Sequence, residues 1–288
     1  MSEKHPIIAV TGSSGAGAEP VMSAFTHLFW REKVKPVVVQ GDGFHRYSRV
    51  EMKAAVAEAG SNGHVLTHYG PQGNLLDKLE ATFREYGERG TGEHRQYLHC
   101  ESEAAKYHQP CGTFTPWERF PEDSDLLFYQ GLHGGFVSPE LDIARHVDLL
   151  IGVTPIVNLE WIQKINRDAG ERGYSREAVM HSILERMPDY VNYITPQFSR
   201  THINFQRVPV VDTSNPFIAR DVPNLDESFM VVRFRYPKGV DFPYLLRMIR
   251  NSFMSRPNTI VMPAGKAMLA MEIIFLPLLH EFMKRKRG

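Results

Sequence analysis

Cysteine is almost missing from this chain, with only Cys100 and Cys111 among 288 residues. They form no C-x-x-C pair, so a disulfide framework is not expected and a reduced, cytoplasmic protein is the simplest reading. A surplus of either charge is missing too. Lys+Arg and Asp+Glu number 33 each, so no overall field draws the chain to nucleic acid or to an anionic membrane. Long hydrophobic runs are also lacking. The most apolar late stretch, residues 267–282, is interrupted by Glu272, Pro277 and His280. It reads as a docking C-terminal helix and not as a membrane span. The opening Met1-Ser2-Glu3-Lys4-His5 carries no apolar signal segment. The closing Lys284-Arg285-Lys286-Arg287 reads as a solvated end. No repeat, low-complexity tract or linker appears, so residues 1–288 are expected to form a single domain.

What is present is an alternation of short apolar runs with helical patterns, the signature of a largely parallel sheet covered by helices. Strands are predicted at Ile7–Thr11, Pro36–Gln40, Leu126–Tyr129, Asp148–Val153, Phe229–Arg235 and Thr259–Met262. Helices are predicted at Pro20–Arg31, Arg49–Ala59, Asn74–Tyr86, Val157–Arg172, Arg176–Met187, Pro243–Asn251 and Lys266–Lys284. Pro20 suits a first helical position, where its missing N–H has no intrahelical partner. Ser175 is a plausible N-cap for a helix that places Val179, Ile183 and Met187 on one face. The polar stretch Gly90 to Asp125 reads as long loops around at most a hairpin. Long loops in a compact domain are often functional.

Between the first strand and the first helix lies Gly12-Ser13-Ser14-Gly15-Ala16-Gly17-Ala18-Glu19-Pro20. Strand, glycine-rich turn and helix are the context in which backbone N–H groups converge on phosphate oxygens. The template G-x-x-x-x-G-K-[ST] is met at Gly12 and Gly17 and fails at the next two positions. Ala18 stands where a lysine would neutralise phosphate charge, and Glu19 where a hydroxyl would hold Mg²⁺.

Two further strands end in polar residues, and ligands of open α/β sheets collect at the carboxyl ends of strands. The second strand runs into Gly41-Asp42-Gly43-Phe44-His45-Arg46, with Arg49 following. Asp42 there can accept a proton from an attacking hydroxyl, while His45 and Arg49 can bind an anionic group. A turn aspartate beside a solvated basic loop accounts for the same residues. The third strand ends at Gln130, where such folds usually carry an acid serving the metal. A neutral amide orients a water but supplies no charge. Downstream, Lys164, Arg167 and Asp168 share one helical face. They suit phosphoryl transfer, which needs cations against spreading negative charge. An exposed ion-pair face is the competing reading.

Taken together, these segments resemble the phosphoribulokinase family in its bacterial form, over nearly the whole chain. The most specific stretches are Gly41-Asp42 with Phe44-His45-Arg46, Asn158-Leu159-Glu160-Trp161-Ile162-Gln163-Lys164-Ile165, Ile203-Asn204-Phe205-Gln206-Arg207-Val208-Pro209, and Val211-Asp212-Thr213-Ser214-Asn215-Pro216-Phe217. The resemblance implies a P-loop kinase-like α/β fold, a mixed β-sheet covered by helices on both faces. It implies transfer of the γ-phosphate of ATP, carried as its Mg²⁺ complex, to ribulose 5-phosphate in carbon fixation. It casts Asp42 as catalytic base, with Lys164 assisting transfer and Asp168 as a second essential carboxylate and metal contact. His45, Arg49, Tyr97, His99, Arg167 and Arg172 become sugar-phosphate contacts, and Gly12 to Pro20 the nucleotide loop. Arg31, Arg233 and Arg256 occupy positions used for NADH activation, and a homo-oligomer is implied. The plant form's thioredoxin-switched cysteine has no counterpart.

The departures from that family pattern fall on the ATP and Mg²⁺ side. The family loop also lacks the lysine, but it carries small hydroxyl residues where this chain has Ala18-Glu19-Pro20. It has Glu where Gln130 stands and typically Glu at Gln40. One carboxylate about 4 Å from a phosphate costs about 4 kcal/mol at an effective dielectric of about 20, less whatever a bridging Mg²⁺ offsets. Two readings therefore stand: a phosphoribulokinase slowed by its loop, or a kinase-fold subunit that binds sugar phosphate or NADH in a regulatory role.

Overall fold

The structure, a computed structural model, describes residues 4–13, 15–154, 156–170 and 173–287. Its strands are β1 (Ile7–Gly12), β2 (Pro36–Gln40), β3 (Glu93–His94), β4 (Glu118–Arg119), β5 (Leu126–Gly131), β6 (Leu149–Val153), β7 (Ile203–Pro209), β8 (Ser228–Phe234), β9 (Phe253–Arg256) and β10 (Thr259–Pro263). Its helices are α1 (Glu19–Arg31), α2 (Arg49–Ser61), α3 (Leu76–Arg89), α4 (Glu101–Tyr107), α5 (Val157–Gly170), α6 (Arg176–Glu185), the one-turn α7 (Met187–Asp189), α8 (Phe242–Met248) and α9 (Ala267–Arg287). The strands hydrogen-bond in the order β2-β5-β1-β6-β7-β8-β10-β9, with β3 and β4 forming a separate hairpin. The mixed, helix-covered sheet expected from the sequence is the one observed. None of the described helices is long and apolar enough to cross a membrane.

The chain divides into two compact units, and the division falls inside β1. The first comprises Met1–Ala9, Lys35–Asp148 and Glu185–Ser199; the second comprises Val10–Val34, Leu149–Leu184 and Arg200–Gly288. In the first unit β2 runs parallel to β5 in a register that sets Gln40 opposite Gln130. The β5 segment Leu126–Tyr129 is wholly buried, as a parallel strand covered on both faces requires. Helix α3 turns Leu79, Phe83 and Tyr86 inward at helical spacing and ends at Gly90, whose φ of 70° permits the left-handed cap. The predicted start of this helix at Asn74 is too early. Asn74 lies before the helix, paired with His45 in an isolated bridge, because its side chain is engaged elsewhere.

In the second unit β6 runs parallel to β7, after which β8, β10 and β9 continue antiparallel. The late apolar stretch forms α9, which passes through Pro277 and packs on α1. Phe275 stacks on Phe25 at 4.4 Å between centroids. Ser175 caps α6 as expected, accepting from the Ala178 amide at 3.1 Å.

Candidate functional site

In the first unit, β2 leads directly into a 3₁₀ turn, Gly41–Phe44. Glycine is required on both sides of Asp42. A Cβ at Gly41 would lie 2.5 Å from the Tyr129 hydroxyl, and one at Gly43 would lie 2.0 Å from the Arg95 carbonyl. Arg95 fastens this turn, donating from Nε to the Gly43 carbonyl and from Nη2 to the His45 carbonyl, each at 2.7 Å. Its guanidinium is itself stacked 3.6 Å over the Phe114 ring.

Asp42 is held between two histidines. His45 Nε2 lies 3.3 Å from Oδ1 and His99 Nε2 lies 3.0 Å from Oδ2. Burial alone would raise the Asp42 pKa, but hydrogen bonds and charge from His45 and His99 outweigh it and hold the carboxyl well below its usual range. His45 is nearly buried, and its ring stacks on His68 at 4.1 Å. Burial, with the neighbouring His45 and Arg186, lowers the His68 pKa to about 2; burial lowers His133 to about 4. These two rings are therefore neutral at physiological pH.

Arg49 opens α2, which Ser48 and Glu51 start with a reciprocal capping box. Its guanidinium donates to the His99 carbonyl at 2.9 Å and to the Cys111 thiol at 3.4 Å. Burial opposes the Arg49 charge, but Tyr97 and Cys111 more than offset this and raise its pKa. Tyr97 and His99 lie on a strip paired with residues 112–115: Leu98 donates to Thr113 at 2.9 Å and accepts from Gly112 at 2.7 Å. That strip continues the β3–β4 hairpin, so the polar loop region does contain a hairpin, with α4 in its connection. The structure thus brings Asp42, His45, Arg49, Tyr97 and His99 together.

In the second unit, the glycine turn follows β1 and leads into α1. Gly15 and Gly17 adopt φ of 114° and 75°, which other L-residues rarely adopt. A Cβ on Gly15 would lie 3.0 Å from the Glu160 carbonyl and 3.1 Å from Lys164 Cβ, so the turn rests on α5. The Ser13 hydroxyl is buried without a hydrogen-bond partner. Helix α1 begins at Glu19 with Pro20 in its first turn, and Ala18 gives it no side-chain cap. A Cβ on Gly17 would lie 4.0 Å from a Glu19 carboxylate oxygen, so the acid stands beside the turn. Ala16 closes that turn by donating to the Ser13 carbonyl at 3.0 Å.

Helix α5 carries Glu160, Lys164 and Asp168 at four-residue intervals, and all three are buried. The solvated ion-pair face is therefore excluded. Lys164 Nζ lies 2.6 Å from Asp168 Oδ2, and Arg167 Nε lies 3.0 Å from Oδ1. Burial raises the Asp168 pKa, but Lys164 and Arg167 outweigh it and lower it overall. Both carboxylate oxygens thus face cations. Among the described residues no three His, Cys, Asp or Glu cluster as a metal site. Ser14 and Arg172, expected in the loop and the sugar-phosphate set, lie outside the described residues.

Arg233 and Arg256 both stand opposite Thr259 in the sheet register and are exposed. Arg31 instead bonds Glu32 at 2.9 Å and Glu272 at 3.3 Å. Sequence reasoning passed over Arg95, Asn74 and Glu160. The glycines around Asp42 hinted that the turn is crowded, but nothing in the pattern named the residue doing the crowding.

A buried strand feeding a glycine turn and a helix, with a buried Lys–Asp pair beneath the turn, is the arrangement of a P-loop kinase-like fold. Residues 7–214 match the Phosphoribulokinase / Uridine kinase family. The chain belongs to that family. It is 59% identical over 288 residues to the chromosomal phosphoribulokinase of Cupriavidus necator, covering 100% of this chain and 99% of that protein. The phosphoribulokinase of Rhizobium meliloti is 56% identical over 286 residues, 99% of each chain. The solved phosphoribulokinase from Rhodobacter spheroides aligns with a TM-score of 0.91 and 51% identity, over 100% of both chains.

Proposed function

We propose that this chain transfers the γ-phosphate of ATP, supplied with Mg²⁺, to ribulose 5-phosphate, giving ribulose 1,5-bisphosphate, and that its 288 residues act as one kinase domain. The observation that carries this reading is the Asp42 carboxylate, fixed by His45 and His99 at the end of a parallel strand. Asp42 accepts the proton of the attacking hydroxyl once the substrate displaces a histidine. His45, Arg49, Tyr97 and His99 bind the sugar phosphate, with Arg167 and Arg172 assigned the same task. Lys164 steadies the charge of the transferring group, and Asp168 holds Lys164 and Arg167 in place. A metal contact by Asp168 requires it to release one of those cations.

Residues 12–20 bind the nucleotide. Ser13, whose buried hydroxyl lacks a partner, turns it to a phosphate oxygen. Glu19 repels that phosphate, and Pro20 removes one N–H from the helix N-terminus, so turnover is slowed on the nucleotide side; the Gln40–Gln130 pair deepens the loss by withholding acidic charge from the metal. Those features also favour the second reading, a regulatory subunit that binds sugar phosphate without turnover. NADH is assigned to Arg31, Arg233 and Arg256, and must compete with Glu32 and Glu272 for Arg31. A homo-oligomer in the cytoplasm completes the proposal. The test is formation of ribulose 1,5-bisphosphate from ATP and ribulose 5-phosphate by purified protein, with Mg²⁺, then Mn²⁺, with and without NADH. Product formation supports the kinase. Sugar-phosphate binding without product favours the subunit.

A further inference from the structure

Asn74 decides which nitrogen of His45 carries a proton. Its amide nitrogen lies 2.9 Å from the His68 carbonyl and 2.7 Å from the Gly70 carbonyl. Carbonyl oxygens only accept, so this atom must be the nitrogen, and both its hydrogens are engaged. The remaining atom is Oδ1, which can only accept. His45 Nδ1 lies 2.8 Å from it and therefore donates. A neutral imidazole with its hydrogen on Nδ1 has a bare lone pair on Nε2. That Nε2 faces Asp42 Oδ1 at 3.3 Å. Two lone pairs at this distance repel, and the contact becomes attractive when Nε2 also carries a proton.

The geometry is fixed from both sides. His45 and Asn74 pair as a backbone bridge, Leu75 donates to the Phe44 carbonyl at 2.7 Å, and Arg46 donates to the Gly73 carbonyl at 2.9 Å. Asn74 is buried and cannot rotate its amide without leaving two carbonyls unpaired. The other groups around His45 are His68, stacked on it; Tyr97, edge-on at 6.0 Å; Arg95, on its carbonyl; and His99, on the far oxygen of Asp42. Arg186 acts more remotely, through its charge on His68, and His133 is buried and neutral. Asp42 is the acid among them.

We propose that Asn74 is a positioning residue that fixes a proton on His45 Nδ1 and holds Nε2 towards the Asp42 carboxylate. The inference deepens the acceptor-site reading and rests on it for its consequence, which is an Nε2 held in one orientation where the sugar phosphate binds. The tautomer itself does not depend on that reading.

Two measurements test it. Long-range ¹H–¹⁵N correlation on histidine-labelled protein reads both His45 nitrogens between pH 6 and pH 9. Nδ1 should carry a proton throughout, so any neutral ring should be the Nδ1–H tautomer. A neutral ring protonated on Nε2 overturns the proposal. The second measurement compares Asn74→Leu with Asn74→Asp by calorimetric titration with ribulose 5-phosphate. Both variants lose the two bonds to His68 and Gly70, but only aspartate keeps an acceptor for Nδ1. Leucine should weaken binding at least tenfold and aspartate by less than threefold. Equal loss in the two would assign Asn74 a merely structural role. If the parent fails to bind ribulose 5-phosphate, the substrate assignment falls, while the nitrogen spectrum still decides the tautomer.

Discussion

The Asp42 region and the glycine-turn region are built on opposite terms. Around Asp42 the polar groups satisfy one another: two histidines on one carboxylate, an asparagine behind one histidine, Arg49 on the backbone of the other. Around the glycine turn, a buried serine hydroxyl is unpaired, the helix start has no side-chain cap, and a carboxylate stands beside the turn. The difference teaches that one region of a chain can satisfy its polar groups internally while another leaves a buried hydroxyl and a helix start unsatisfied. The Asp42 network is mutually supporting, so losing one member strands the rest. The glycine turn relies on backbone conformation, so side-chain changes at Ala18, Glu19 and Pro20 leave its shape standing and alter its charge.

The largest effect expected is at Asp42. Asp42→Asn should lower kcat by about 10²–10⁴-fold, the usual contribution of a general base. Ribulose 5-phosphate affinity should hold within a few fold, as read by calorimetry. Equal loss of binding and kcat would make Asp42 a binding group and erase the contrast. Next comes Lys164→Met, which leaves Asp168 buried beside Arg167 alone. Breaking a buried pair this way costs about 3–5 kcal/mol, seen as a lower urea midpoint. An unchanged midpoint would mean the pair is solvated.

A smaller effect is the acid sensitivity of the first unit. His68 and His133 have folded pKa values near 2 and 4, below the ordinary 6.5. In the unfolded chain each takes up a proton as pH falls through about 6.5, while the folded ring does not. The stability that neutral burial preserves is therefore complete above pH 6.5 and is lost as pH falls towards about 4 for His133 and about 2 for His68. Between pH 6.5 and pH 5 each ring accounts for at most about 2 kcal/mol. His68→Phe should flatten the decline of the urea midpoint over that range. An unaltered slope would place the acid sensitivity elsewhere.

Much of the fold was legible from periodicity. The strands β1, β2, β5, β6, β8 and β10 lie within two residues of their predicted bounds, because a short run rich in apolar residues leaves little choice. β9 was not anticipated: Phe253-Met254-Ser255-Arg256 is a short and largely exposed edge, and such strands carry little hydrophobic signal. β7 was not anticipated either: its burial does not alternate, and it holds Asn204 as a buried polar residue bonded to Thr154 and Thr201. At the candidate site, Asp42, His45 and Arg49 were readable because they crowd the end of one strand. Arg95 and Asn74 were not, since each reaches that turn from a distant part of the chain and acts through backbone carbonyls or another side chain. Whether Lys164 and Asp168 faced solvent also escaped the sequence. An i,i+4 Lys–Asp pair reads the same on a wet face and a buried one.

The smallest expected effect is also the most direct test of the contrast. Steady-state phosphate transfer from ATP to ribulose 5-phosphate would be compared in four proteins. These are the parent, a loop repair with Ala18→Ser, Glu19→Ser and Pro20→Thr, Gln130→Glu, and the combination. The combined repair should raise kcat/KM for ATP at least tenfold, about 1.4 kcal/mol of barrier, and leave the KM for ribulose 5-phosphate unchanged. Its gain should differ from the product of the separate gains, because both changes act on one Mg²⁺–ATP geometry. A parent already turning over at about 1–100 s⁻¹, the usual kinase range, or a combined repair that gains nothing, would contradict the account.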